Sequence, residues 1–125
     1  MLNTLLIFLG AGFGGLSRYW VSTGIHYFVG RHFPYGTLFV NATGSFLMGL
    51  LFVLIIERFD GIGPQLRSLL LIGFLGGYTT FSSFSLETMA LFENGAWLGG
   101  FLNILLSVVL CLTLTGLGIM VGRQL

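Results

Sequence analysis

The sequence predicts an all-α integral membrane protein with four transmembrane helices, and three observations carry that prediction. In 125 residues there are five Arg, no Lys and four Asp or Glu, 7% charged in all, where a soluble domain carries roughly 25%. Fifty-five per cent of the residues are apolar and the mean hydropathy is +0.98. A soluble fold this small has a high surface-to-volume ratio and must cover it with polar groups, which so few charges cannot do. The apolar residues also fall into four stretches, each near the 20 residues that a bilayer core of about 30 Å requires.

The first stretch covers residues 2–28 and is interrupted by Arg18. It lacks a charged leader and runs into no soluble domain, so it reads as a helix and not as a cleaved signal. The second, residues 37–56, holds no charge. The third, residues 66–92, contains Glu87, and the fourth, residues 97–121, is again uncharged. Short connections separate them: 30–36 with Pro34, 57–65 with Asp60 and Pro64, and 93–95. No internal repeat and no room for a further domain are read, so residues 1–125 form one four-helix domain.

Four spans put both termini on one side, together with Arg58, Arg67 and Arg123, against Arg31 on the other. Arginine asymmetry in short loops sets orientation, and this weak bias leaves insertion in both directions open. Four packed helices fill their own centre with side chains, so a transport function implies an oligomer. Gly10 with Gly14, Ala11 with Gly15, and Ser45 with Gly49 are small-residue pairs that suit close helix contact, within one subunit or between two. The net charge of +1 offers no basic run for nucleic acid. Cys111, the single cysteine, excludes an internal disulfide and gives no metal-ligand spacing.

Polar residues at membrane depth are the informative ones, because each costs free energy unless it is paired or hydrated. In the third stretch, residues 76–85 read Gly-Gly-Tyr-Thr-Thr-Phe-Ser-Ser-Phe-Ser, a poor continuous helix. Two readings stand: a break near 76–80 whose freed carbonyls suit a small cation, or a kinked helix whose hydroxyls bond back to its own carbonyls. Phe81 and Phe84, three apart, share a face if the helix resumes at Phe81. Such residues are usually packing, yet their electropositive ring edges suit a small anion. Thr37 and Asn41 share a face of the second span, where a buried amide needs partners; interhelical bonding is the simpler alternative there. Asn103, Ser107, Cys111 and Thr115 repeat every four residues, a polar stripe about 18 Å long that leans towards a path. Arg18 and Glu87 either pair or face a water-filled vestibule. His26 and His32 read as polar surface residues without a role.

No nucleophile–base pair, metal spacing or phosphate loop is present, so the residues do not point to an enzyme. A small proton-coupled multidrug exporter needs a carboxylate deep in its first span, where this chain has Arg18. A passive anion path fits the donor-rich inventory of Asn, Ser, Thr and Arg. A membrane assembly or regulatory subunit would need none of these stripes.

Three segments carry a family resemblance: Gly14-Gly15-Leu16-Ser17-Arg18-Tyr19, residues 36–46 (GTLFVNATGSF) and residues 73–87 (GFLGGYTTFSSFSLE). Through them, and across essentially the whole chain, the sequence closely resembles the Fluc (CrcB) family of fluoride ion channels. The resemblance implies an antiparallel, dual-topology homodimer in the plasma or inner membrane, with two fluoride pores, that lets fluoride leave the cytoplasm. It implies a structural sodium ion at the dimer centre, held by backbone carbonyls that map to Gly76 and Thr79. Phe81 and Phe84 map to the rings whose edges contact fluoride, Asn41 to the pore asparagine with Thr37 a turn away, and Arg18 to the vestibule arginine. Asn103, Ser107 and Cys111 map to the polar track. Cys111 departs from the hydroxyl of that pattern, and a thiol is a weak donor.

Overall fold

The computed structural model describes residues 1–58 and 61–125; the middle of the 57–65 connection, with Asp60, lies outside the described residues. A chain in an apolar solvent must satisfy its peptide groups internally, and the described residues form helices joined by short turns. Helix α1, Leu2–Val29, stops at Gly30, which has φ +87° and donates its N–H to the His26 carbonyl at 2.8 Å. That left-handed stop favours glycine. Pro34 precedes α2, Tyr35–Phe52, which continues into a π-helical segment, Val53–Arg58.

The third rod is composite. It opens with α3, Gly63–Leu66, with Pro64 in the first turn, where a missing N–H costs no helical bond. A π-helical segment, Arg67–Leu75, and α4, Gly76–Tyr78, carry it on. Two extended residues follow, and α5 resumes over Phe81–Glu93. Gly95, φ +80°, turns the chain into α6, Trp97–Gln124. Most rods overrun the apolar stretches by a few residues, because peptide hydrogen bonding does not stop where side chains become polar.

Among the described residues, three rods are long and apolar enough to cross a membrane: Tyr35–Arg58, Gly63–Glu93 and Trp97–Gln124. Helix α1 matches α6 in length at 28 residues but is diluted by Arg18 and other polar residues, and is not one of the three.

Helix α1 lies along the third rod, and α2 lies along α6. Close approach depends on missing side chains: a Cβ at Gly14 would run into the Phe74 carbonyl, and one at Gly118 into the Phe46 carbonyl. Gly10 and Gly49 meet Leu69 and Thr115 in the same way, so the 10/14 and 45/49 pairs serve packing within the subunit. Gly15, by contrast, faces nothing within 4 Å.

Among the described residues the buried core is small, a cluster of Val40, Ile55, Leu71, Leu75 and Tyr78 with Ala42 and Val53 also buried. The chain exposes 7667 Å², against about 6,600 Å² for a compact soluble monomer of its mass. Much of that surface is apolar, with Phe8, Phe13, Trp20, Leu98 and Leu112 all more than half exposed. Large apolar surfaces of this kind mark contact with lipid or another protein.

Candidate functional site

The break in the third rod organises the site. Thr79 (φ −84°, ψ 156°) and Thr80 (φ −150°, ψ 116°) are both extended, so the interruption lies at the C-terminal edge of the expected window, and Gly76 and Gly77 stay helical. Hydroxyl chemistry accounts for the edges. Thr79 Oγ1 donates to the Leu75 carbonyl at 2.9 Å beside its own N–H at 3.0 Å, which closes the first half. Thr80 Oγ1 accepts from the Ser83 N–H at 3.1 Å, a helix cap that opens the second half. Both the break and the back-bonded hydroxyls read from the sequence are therefore present, at neighbouring residues.

Asn41, on α2, grips the Thr80 backbone on both sides. Its Nδ2 donates to the Thr80 carbonyl at 2.9 Å and its Oδ1 accepts from the Thr80 N–H at 2.7 Å. Because Asn41 takes that N–H, Thr80 does not continue the helical ladder onto Gly76. Arg18 Nε donates to the Gly77 carbonyl at 3.1 Å, so a cation already serves one carbonyl beside the break.

Two cavities flank the break. A groove of about 400 Å³ is lined by Asn41, Ser45, Thr79, Thr80, Phe81, Phe84, Ser107, Cys111 and Thr115, with Gly44, Met48, Val108 and Leu112. A more polar vestibule of about 280 Å³ is lined by Arg18, Ser22, Thr23, His26, Arg31, Thr37, Ser83 and Glu87. Thr80 lines both. The Phe81 and Phe84 rings sit 5.3 Å apart at 46°, on one side of α5 as their spacing requires, and Phe81 is 77% exposed.

The structure brings Asn41, Phe81, Phe84, Ser107 and Thr79 together on the groove, and Arg18 and Thr37 on the vestibule. Gly76 and Asn103 line neither. Asn103 is buried at 2% exposure between α5 and α6: its Nδ2 donates to Thr88 Oγ1 at 2.9 Å, and Thr88 donates in turn to the Phe84 carbonyl at 2.7 Å. Ser107 Oγ reaches Asn103 Oδ1 at 3.5 Å. The stripe on α6 thus divides, one part bonding to α5 and the part from Ser107 to Thr115 facing the groove. Cys111 belongs to the second part, and Thr115 Oγ1 donates to the Cys111 and Ser45 carbonyls at 2.8 and 3.1 Å.

Arg18 and Glu87 share the vestibule without pairing. The ion pair among the described residues is Arg123 with Glu57 at 3.5 Å, on the exposed surface. Glu87 Oε1 is buried without a hydrogen-bond partner. His26 departs from the surface role read for it: it is 8% exposed, and its Nε2 accepts from the Gly36 N–H at 3.0 Å, tying the end of α1 to the start of α2. His32 is exposed. Sequence reasoning missed the roles of Thr80 and Thr88. Thr80 followed by Phe-Ser-Ser is a helix-cap signal that was there to be read, whereas the Thr88–Asn103 partnership needed the α5–α6 alignment.

Comparison with known proteins places this architecture in a lineage. The family model described as "CrcB-like protein, Camphor Resistance (CrcB)" matches residues 5–119. A protein of Coxiella burnetii (strain Dugway 5J108-111), named fluoride-specific ion channel FluC, is 59% identical over 124 residues, covering 99% of this chain and 100% of the relative. A protein of the same name from Geobacter metallireducens is 48% identical over 125 residues, covering all of both chains. Another, from Methylococcus capsulatus, is 53% identical over 124 residues, covering 99% of this chain and 54% of the relative. A family match over residues 5–119, with relatives 48–59% identical over nearly the whole chain, makes this protein a member of the CrcB family.

Proposed function

We propose that this protein is a fluoride-specific ion channel, a multi-pass protein of the plasma or inner membrane that lets fluoride leave the cytoplasm passively. The observation that carries the reading is a pair of cavities that share Thr80 in their walls, lined by donors and by the Phe81 and Phe84 rings without an acidic ring. Relatives named for fluoride, and alike over their full length, support it. Fluoride holds its water tightly, so a selective path must replace that water with closely placed donors. Arg18, at the mouth, lowers the cost of bringing an anion in. Hydroxyls of Thr37 and Thr80 donate along the way, Ser107 lines the groove beside them, and the electropositive edges of Phe81 and Phe84 complete a narrow passage that excludes larger halides.

In this reading α1 is the fourth span, and the working unit is an antiparallel homodimer whose copies insert in opposite directions, with two pores. Its support is the weak Arg asymmetry, the small core and the unpartnered apolar surface, with Phe81 among the exposed groups. A structural sodium ion at the dimer centre belongs to the same proposal. The donor set fits: Gly76 is exposed, its carbonyl is not claimed by Thr80, and Thr79 is extended. Two backbone carbonyls per chain make four oxygens in a symmetric pair, a hard set that suits a hard cation. A cation bound there would make a nearby buried anion less costly.

The test is fluoride efflux from liposomes holding the purified protein, read by a fluoride electrode with a potassium shunt and a chloride control. The expected result is fast fluoride release without chloride release. No release from folded dimers would return the chain to the multidrug-exporter or assembly-subunit readings.

A further inference from the structure

We infer that Asn41 is a positioning residue: its side-chain amide acts as a surrogate peptide that holds the Thr80 backbone extended, and so sets both the helix break and the aim of Phe81. The inference rests on the channel reading above for its functional consequence, but its structural core stands on the hydrogen bonds alone. Three observations carry it. The amide engages both polar groups of one residue at 2.9 and 2.7 Å, the pairing that a neighbouring strand would supply and that a membrane interior otherwise denies to an extended residue. By taking the Thr80 N–H, it prevents the α-helical bond to Gly76 from forming, so α4 cannot run on into α5. Thr80 is also the residue common to both cavities and the cap of α5, which places Phe81 directly after the clamp.

Few other residue types could do this. The task needs one acceptor and one donor in a fixed plane, on a side chain short enough to hold the distance from α2, and among the twenty only Asn and Gln present an amide. An aspartate keeps the acceptor but sets an oxygen against the Thr80 carbonyl. An alanine leaves a peptide unsatisfied at membrane depth. Asn41 keeps one further N–H and lines the groove, so the competing account is that it contacts the ion directly.

A double-mutant cycle separates the two accounts. One arm is Asn41→Ala. The other replaces the Thr80 peptide N–H by an ester oxygen, using the α-hydroxy analogue of threonine at position 80, which deletes the donor that Asn41 accepts and leaves every side chain in place. Fluoride flux is measured in liposomes for each change and for both together, on protein shown to be folded. A clamp predicts that each single change lowers flux at least tenfold and that the double change lowers it no further than the worse single. Losses that multiply, or flux unchanged by either single change, overturn the inference. Amide hydrogen exchange at Thr80, followed by NMR, gives a readout independent of fluoride. The expected result is exchange at least tenfold faster in Asn41→Ala than in the unsubstituted protein, with the Asn94 amide unchanged as reference. Equal exchange overturns the clamp. If the unsubstituted protein carries no fluoride at all, the channel reading fails, and the exchange measurement still decides the clamp.

Discussion

Phe81 and Asn103 show how one residue's surroundings decide its use. Phe81 leaves most of its ring uncovered beside the groove, and the proposed function uses its edge to meet an anion. Phe81→Ile keeps bulk and removes the ring, and fluoride efflux from liposomes is expected to fall at least tenfold; undiminished flux would remove ring edges from the mechanism. Asn103 has the opposite setting, buried and bonded to Thr88. Asn103→Ala leaves Thr88 without its donor and Ser107 without its acceptor, at a cost of about 1–3 kcal/mol. A lowered thermal midpoint in detergent is the expected outcome, and an unmoved midpoint would contradict the buried link. Both residues were legible as candidates, because an aromatic pair at spacing three and an amide in an apolar helix stand out in any membrane sequence. Their division between groove and helix contact was not, because periodicity assigns a face of a helix without saying which neighbour that face meets.

Individual elements are held by how closely their backbones approach and by how the third rod is stopped and restarted. Along α6, Gly118 lies against the α2 backbone while Gly116 meets nothing within 4 Å. Gly118→Ala should therefore push α2 and α6 apart at a cost of about 1–3 kcal/mol. Gly116→Ala should be neutral or slightly stabilising, since alanine is the better helix former. Thermal unfolding of the pair checks this, and equal midpoints would contradict the α2–α6 register. At the break, Thr80→Val removes the oxygen that accepts from Ser83, and lost caps cost about 0.5–2 kcal/mol. Flux and midpoint are both expected to drop, because the first turn of α5 carries Phe81 and Phe84. The interrupted helix was readable from two glycines followed by a run of hydroxyls. Its exact residues were not, because Gly76 and Gly77 remain helical and the stop depends on Asn41 reaching across from another element.

At the scale of the whole molecule, the excess of exposed apolar surface over that of a compact soluble monomer demands a solvent other than water. The protein is expected to remain with the membrane fraction through an alkaline carbonate wash, and release into the soluble fraction would contradict a spanning protein. Cross-linking in detergent is expected to give dimers, and replacing sodium by a large organic cation is expected to weaken them; dimers indifferent to sodium would remove the ion from the proposal while leaving the fold. By itself the sequence determined the solvent, the helical class, the four apolar stretches and the family, because each depends on composition or on local pattern that survives without knowledge of neighbours. Tertiary structure alone decided that α1 pairs with the third rod and α2 with α6, that Thr80 lines two cavities, that His26 is a buried tie, and that Asn41 meets a peptide. Those facts depend on which residues far apart in the chain come within about 3 Å of each other, and a hydrogen bond is a property of the pair that no single position in a sequence carries.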